Sequence, residues 1–169
     1  MREVATLLNE MVEARVISSY ALFGALAQMR YTEAVATLDA DVLVALPDMD
    51  RIDLLAPLYE FCRQRGYVAE GEAVRVGNWP VQFVPVFSDL TRTAMAEAEE
   101  VDFEGVPLRV VGADYLAVIA LSVGRAKDHL RILGLLESQS ATRDEIERLC
   151  GLYGLKAAWQ RFQEKYLDG

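Results

Sequence analysis

Thr37-Leu38-Asp39-Ala40-Asp41-Val42-Leu43-Val44-Ala45-Leu46 begins with two carboxylates and runs into an unbroken apolar stretch. An apolar run on both faces predicts a central strand covered from both sides, over residues 37–46, and Pro47 ends it. Strand alternation places Asp39 and Asp41 on one face and turns Ala40 away. Two carboxylates converging on one small volume repel each other unless a cation neutralises them, and oxygen-rich sites with few protein ligands suit Mg²⁺ on a polyphosphate. Aspartates at this spacing also decorate solvated sheet faces. Here they open a hydrophobic strand, where charge needs a cation, hydrogen bonds or the exposed end of the sheet.

Upstream of this strand, residues 3–13 carry Val4, Leu7, Leu8 and Met11 at helical spacing. Residues 16–23 are rich in β-branched and aromatic side chains and predict a strand ending at Gly24, with a helix over 25–29. Downstream, Ile52, Leu55, Leu58, Tyr59 and Cys62 predict a helix within 50–65, which Pro57 either kinks or starts late. Residues 67–75 and 80–87 read as strands around a Gly77-Asn78 turn, 91–100 as a helix, and 101–110 as an edge hairpin about Glu104-Gly105. Helices are expected over 113–122, 127–137, 142–150 and 155–166, the third opened by Thr142 and Glu145 at capping-box spacing. The fold class is α/β (α+β): a short mixed sheet flanked by helices, with helices at the C-terminal end. One domain over 1–169 is expected, with an α/β core over 16–110 and a helical part over 111–169.

With 26 acidic against 17 basic side chains the chain of 169 residues carries a formal charge of −9, which repels phosphate backbones and disfavours non-specific nucleic-acid binding. A local basic patch remains compatible with a nucleotide or a structured RNA end. The two cysteines, Cys62 and Cys150, sit in helical apolar patterns and predict unpaired core thiols in a reducing compartment. Neither a basic leader nor an apolar run of about 18 residues is visible, so cytoplasm is expected, and no membrane. No phosphate-binding G-x-x-x-x-G-K-[ST] loop and no G-x-G-x-x-G occurs. His129 stands alone and cannot build a histidine-rich metal site, and Ser18, Ser19 and Ser122 have no triad logic around them.

Phe23-Gly24-Ala25-Leu26-Ala27 followed by Thr37-Leu38-Asp39-Ala40-Asp41 resembles the opening of the nucleotidyltransferase superfamily typified by DNA polymerase beta, most closely the minimal bacterial members that include the toxin of abortive-infection systems. Tyr115-Leu116, Gly124-Arg125, Lys127-Asp128 and Arg131 resemble that family's later helical element, so the resemblance spans residues 16–137. It implies a nucleotide and a divalent metal, Mg²⁺ or Mn²⁺, with NTP as donor. Asp39 and Asp41 would hold the metal. Gly24, Ala25 and Thr37 would lie along the phosphates, Lys127, Arg125 and Arg131 would contact them, and Asp128 would orient phosphate or water. Read from residues alone, the 125–131 segment is equally a solvated helix face with local ion pairs.

Three positions depart from the family pattern. Gly24-Ala25 stands where Gly-Gly or Gly-Ser is common, and Val35 where a basic residue is common. The third carboxylate, carried by catalytic members on a neighbouring strand, is replaced in Pro80-Val81-Gln82-Phe83-Val84 by Gln82, which ligates or hydrogen-bonds but cannot act as a carboxylate base. Either a more distant acid substitutes, or nucleotide is bound without fast transfer. The expected function is metal-dependent nucleotide binding with transfer of a nucleoside monophosphate to an acceptor such as an RNA. The alternative is a non-catalytic scaffold that meets a protein partner through its C-terminal helices.

Overall fold

Apolar strands that alternate with amphipathic helices must bury both sheet faces, and the chain does so with one seven-stranded sheet in the order β3-β4-β5-β2-β1-β7-β6. The structure is a computed structural model that describes residues 1–33, 37, 39–48 and 52–168. The strands are β1 (Ser19–Phe23), β2 (Ala40–Ala45), β3 (Val68–Glu70), β4 (Ala73–Val76), β5 (Trp79–Pro85), β6 (Glu99–Phe103) and β7 (Val106–Val110). The helices are α1 (Arg2–Glu13), α2 (Gly24–Gln28), α3 (Ala56–Gln64), α4 (Asp89–Ala96), α5 (Ala113–Val123), α6 (Ala126–Glu137), α7 (Arg143–Leu152) and α8 (Lys156–Tyr166). The mixed sheet with flanking helices and a helical C-terminal segment is the expected fold class.

The doubly apolar strand is central. β2 pairs antiparallel with β1 and parallel with β5, and Val42, Leu43 and Val44 are inaccessible to solvent. β1 continues the sheet by pairing parallel with β7, and the β6–β7 hairpin forms one edge. One face packs on α1, whose Asn9 accepts a hydrogen bond from the Tyr20 hydroxyl at 2.8 Å and donates to the Pro107 carbonyl at 2.8 Å. Arg109 braces another connection: it donates to the Ser19 hydroxyl at 2.7 Å and to the carbonyls of Met95 and Ala96 at the end of α4. Those carbonyls belong to the last turn of the helix, which lacks i+4 amide partners, so one guanidinium both caps α4 and ties it to the sheet.

α5 is buried on nearly every side, from Leu116 through Leu121, and ends at Gly124, whose φ of +72° lets the chain reverse into α6. That reversal carries the start of α6 back toward the end of β1. Among the described residues no helix is long and apolar enough to cross a membrane. Cys62 and Cys150 are unpaired and buried, as the sequence predicts.

The boundaries shift where capping chemistry decides them. The helix expected within 50–65 starts late, at Ala56, with Pro57 in its first turn and the Asp53 carboxylate accepting from the Ala56 N–H at 3.1 Å. Residues 50 and 51, at the front of that expected helix, lie outside the described residues. α4 starts at Asp89 because Ser88 and Thr91 cap each other reciprocally. Residues 99 and 100, expected to end this helix, belong to β6. The strand expected over 37–46 is ordered as β2 from Ala40, so Asp39 precedes it.

Candidate functional site

β1 runs into α2 through Gly24, whose φ of +72° is left-handed and costs a residue with a side chain more than glycine. Space imposes the same choice. A Cβ at Gly24 would collide with the Asp41 carboxylate and lie 3.1 Å from its Cβ and Cγ, so the carboxylate rests directly on the Gly24 backbone. Phe23 and Asp41 are register partners across β1 and β2, which is how the strand end delivers the carboxylate to the turn. α2 has only five residues, so it offers no long dipole, and Gly24 itself is buried beneath Asp41 and outside the lining of the cleft, which Ala25 joins.

Asp39 is exposed just ahead of β2. The Thr37 hydroxyl shapes the backbone there, donating to the Asp39 carbonyl at 3.0 Å and accepting from the Asp39 N–H at 3.4 Å. Burial and then the neighbouring Asp39 charge push the Asp41 carboxyl above the ordinary carboxylate range, against the charges of Arg131, Lys127 and Arg125. Among the described residues no hydrogen bond reaches the Asp41 carboxylate. Its charge is under-compensated by the protein, and a divalent cation would supply the difference.

α6 brings the second segment to the same place. Lys127 and Arg131 line an open cleft of about 1020 Å³ together with Ala25, Thr37, Asp39 and Asp41. Arg131 is held rigidly, with Nε donating to Gln28 Oε1 at 3.2 Å and a terminal nitrogen donating to Asp128 at 3.1 Å. Lys127 forms no ion pair among the described residues and is exposed.

Asp128 does not face the cleft. It is completely buried and accepts from the Arg125 backbone N–H at 3.2 Å, from Arg125 Nε at 2.8 Å and from Arg131. Burial raises this carboxyl, but the hydrogen bonds from Arg125 and the charges of Arg125 and Arg131 outweigh it and hold it below the ordinary range. Asp128 therefore caps α6 and aims the two arginines, instead of orienting phosphate or water as the resemblance implies. Arg125 contributes charge toward Asp41 from beside the cleft, outside its described lining. Tyr115 lies elsewhere, outside the lining of the cleft, with its phenol pushed upward by burial first and then by the neighbouring Glu97 and Tyr153.

Gln82 is the register neighbour of Asp41 on the parallel strand β5, so both side chains stand on one sheet face. It does not belong to the described lining of the cleft. Among the described residues no group of three or more histidine, cysteine, aspartate or glutamate side chains is placed to hold a metal. Val35 and Leu38, the remaining positions of the motif region, lie outside the described residues. Sequence reasoning missed Gln28, Leu130 and Gly134, which also line the cleft. A glycine inside an otherwise helical pattern is the signal that could have found this wall of α6.

No protein-family model and no curated protein matches the sequence. Among solved structures, an antigenic nucleotidyltransferase-like protein from Paracoccidioides brasiliensis superposes with a TM-score of 0.66 at 14% identity, covering 99% of this chain and 90% of that one. The fold resembles that of the nucleotidyltransferases. The antibiotic-resistance factor ANT(2'')-Ia, in its solution structure, gives a TM-score of 0.52 at 14% identity over 96% of this chain and 97% of its own. Likeness to the nucleotidyltransferase fold thus extends over the C-terminal helices as well as the sheet, while identity this low speaks for the fold alone.

Proposed function

We propose that this protein binds a nucleoside triphosphate with Mg²⁺ at Asp39 and Asp41, and transfers the nucleoside monophosphate slowly or not at all. The observation that carries this reading is the convergence of Lys127 and Arg131 on the cleft that holds both aspartates, from a helix far away in sequence. The carboxylate pair fits Mg²⁺, which usually takes one or two carboxylates and fills its remaining positions with water and substrate phosphates. When bound, the metal would neutralise phosphate charge. Asp39 and Asp41 would hold it, Lys127 would reach phosphate oxygens as a mobile point charge, and Arg131 would do so as a fixed one. Gly24 would act by seating the Asp41 carboxylate on the turn, and Ala25, which lines the cleft, would flank the phosphates.

Among the described residues no third acid joins this pair in a metal-binding group, although Glu33 also lines the cleft. Gln82 stands in register with Asp41 and cannot take a proton from an attacking hydroxyl. That favours binding over rapid chemistry, and it is also the ground for the second reading, a scaffold of this fold working as a subunit. Exposed apolar residues on the C-terminal helices, among them Val123, Leu152 and Tyr166, would then meet the partner. An RNA or small-molecule hydroxyl is the corresponding acceptor on the catalytic reading, and the buried unpaired thiols favour a reducing, cytoplasmic setting.

Calorimetric titration of NTP with and without Mg²⁺ tests the reading on the wild type, Asp39→Asn/Asp41→Asn, Lys127→Ala and Arg143→Ala. Arg143 pairs with Asp168 at 3.7 Å and serves as the charge control. Mg²⁺-dependent binding that is lost in the double variant, weakened by Lys127→Ala and unmoved by Arg143→Ala supports nucleotide binding. Equal effects of the two single variants would reduce it to general charge. Absence of Mg²⁺-dependent binding would leave the scaffold.

A further inference from the structure

Along α6 the residues lining the cleft are Lys127, Leu130, Arg131, Gly134, Glu137 and Ser138. Their spacing is that of one helical face repeated over three turns, the pattern by which a helix normally buries an apolar stripe. Here the face is open, and its chemistry is graded: cations beside Asp39 and Asp41, then a leucine and bare backbone, then polar groups. Leu130 is 68% exposed.

Gly134 is unusual for its position. It lies inside a twelve-residue helix, where glycine is among the worst helix formers, and it has no left-handed φ to require it. A Cβ there would come within 3.2 Å of Gln28 Nε2 and 3.9 Å of Thr32 Cγ2, so the missing side chain is what keeps this wall of the cleft flat. Gln28 itself is only 3% exposed. A guanidinium only donates, so the bond from Arg131 Nε fixes the Gln28 carbonyl toward Arg131 and turns its NH₂ the other way. That NH₂ forms no hydrogen bond among the described residues, and Gln28 belongs to the cleft lining. An unpaired donor in the wall of the cleft is available to a bound group that accepts from it.

We infer that Leu130, Gly134 and the Gln28 NH₂ form a nucleobase slot, with Leu130 covering a ring face, Gly134 giving it room and Gln28 donating to a ring carbonyl or ring nitrogen. This rests on the phosphate-and-metal site proposed above. Seven residues of helix separate Lys127 from Gly134, about 10 Å along the axis, a span that a nucleotide bridges from phosphate to base. A flat aromatic ring with acceptors matches an apolar wall and a lone donor, whereas a second polyanion would meet Glu137 and no further cation of α6.

The experiment compares Mg²⁺ complexes of ATP, GTP, CTP and UTP with Mg²⁺ inorganic triphosphate, in the wild type, Leu130→Ala, Gly134→Val and Gly134→Ala. At least one NTP should bind the wild type about tenfold more tightly than inorganic triphosphate, the worth of burying one apolar contact. Leu130→Ala should erase that preference and leave triphosphate affinity within about twofold, because it removes ring contact and not charge, whereas Gly134→Val should erase it and also lower triphosphate affinity somewhat by displacing Gln28, which holds Arg131. Gly134→Ala, with Tm read alongside to separate binding from folding, should weaken NTP binding through its Cβ, 3.2 Å from Gln28 Nε2. Triphosphate binding with no preference for any NTP, or variants that weaken NTP and triphosphate equally, would overturn the slot while leaving the phosphate site standing. Failure of both NTP and triphosphate to bind with Mg²⁺ would remove the phosphate site and the slot with it.

Discussion

Asp41→Asn should make the protein more stable and unable to respond to its ligand. The wild-type carboxylate is half-buried against the Gly24 turn, raised in pKa by burial and by Asp39, and lacks a hydrogen-bond donor among the described residues. Two residues of extended chain set the aspartates about 6.6 Å apart. Unit charges at that distance repel by about 0.6 kcal/mol in a water-like medium and about 2.5 kcal/mol at an effective dielectric of 20. Asp39 is exposed, so the lower part of that range applies, and the isosteric amide should gain about 1 kcal/mol. In a chain of this size that is a rise in Tm of about 2–4 °C. The gain should be complete at neutral pH and shrink as pH falls through the raised carboxyl pKa, since protonation removes the same charge in the wild type. Mg²⁺-NTP at about a hundredfold excess over Kd should stabilise the wild type by about 2.7 kcal/mol and Asp41→Asn by almost nothing. Thermal melts of both proteins with and without Mg²⁺-NTP give all four numbers. A variant that melts below the wild type, or one that keeps the ligand shift, would refute the view of Asp41 as an under-compensated metal ligand.

Gln82→Asp places an acid in register beside Asp41, and pyrophosphate release with NTP should rise by about 10²- to 10⁴-fold while Tm falls from added repulsion; an unchanged rate would place the missing group elsewhere. Asp128→Asn removes the buried charge shared by Arg125 and Arg131, puts an amide donor in place of one acceptor oxygen, and should cost about 3 kcal/mol, read by chemical denaturation. Because the Asp128 carboxyl is held below its ordinary range, that difference should persist down to about pH 4 and close as pH falls through the folded pKa. Burial pushes the Cys62 and Cys150 thiols up to about 11, so thiol reagent should react slowly with native protein and titrate both cysteines after denaturation without reductant.

Much of the architecture is legible because single residues report on backbone geometry. The apolar run after Asp41 marks a strand covered on both faces, and Gly24 marks the turn where β1 becomes α2. Helix starts are less legible where the cap departs from the common pattern: Ser88 with Thr91 replaces the usual Ser with Glu, and Asp53 caps a helix whose first turn holds Pro57. The site divides in the same way. Convergence of Asp39, Asp41, Lys127 and Arg131 on one cleft follows from a motif read in two segments, but the burial of Asp128 does not, since an acid in the first turn of a helix ordinarily faces water. Its partners Arg125 and Arg131 are spaced for it on the helix, yet only the packing of α6 against α2 turns that cluster inward. Gln28 is invisible for a similar reason: its neighbour Arg131 comes from more than a hundred positions away.

Counting bound Mn²⁺ by electron paramagnetic resonance, as protein is added with and without NTP, tests the metal-and-nucleotide site most directly. The free-ion signal should fall little with protein alone, because two carboxylates hold the ion weakly without substrate phosphates. It should fall toward a saturating, nucleotide-dependent level with NTP present, and neither change should occur in Asp39→Asn/Asp41→Asn. Loss of the free-ion signal to the same extent in the wild type and in that double variant, beyond what NTP alone removes, would show that the aspartate pair holds no metal.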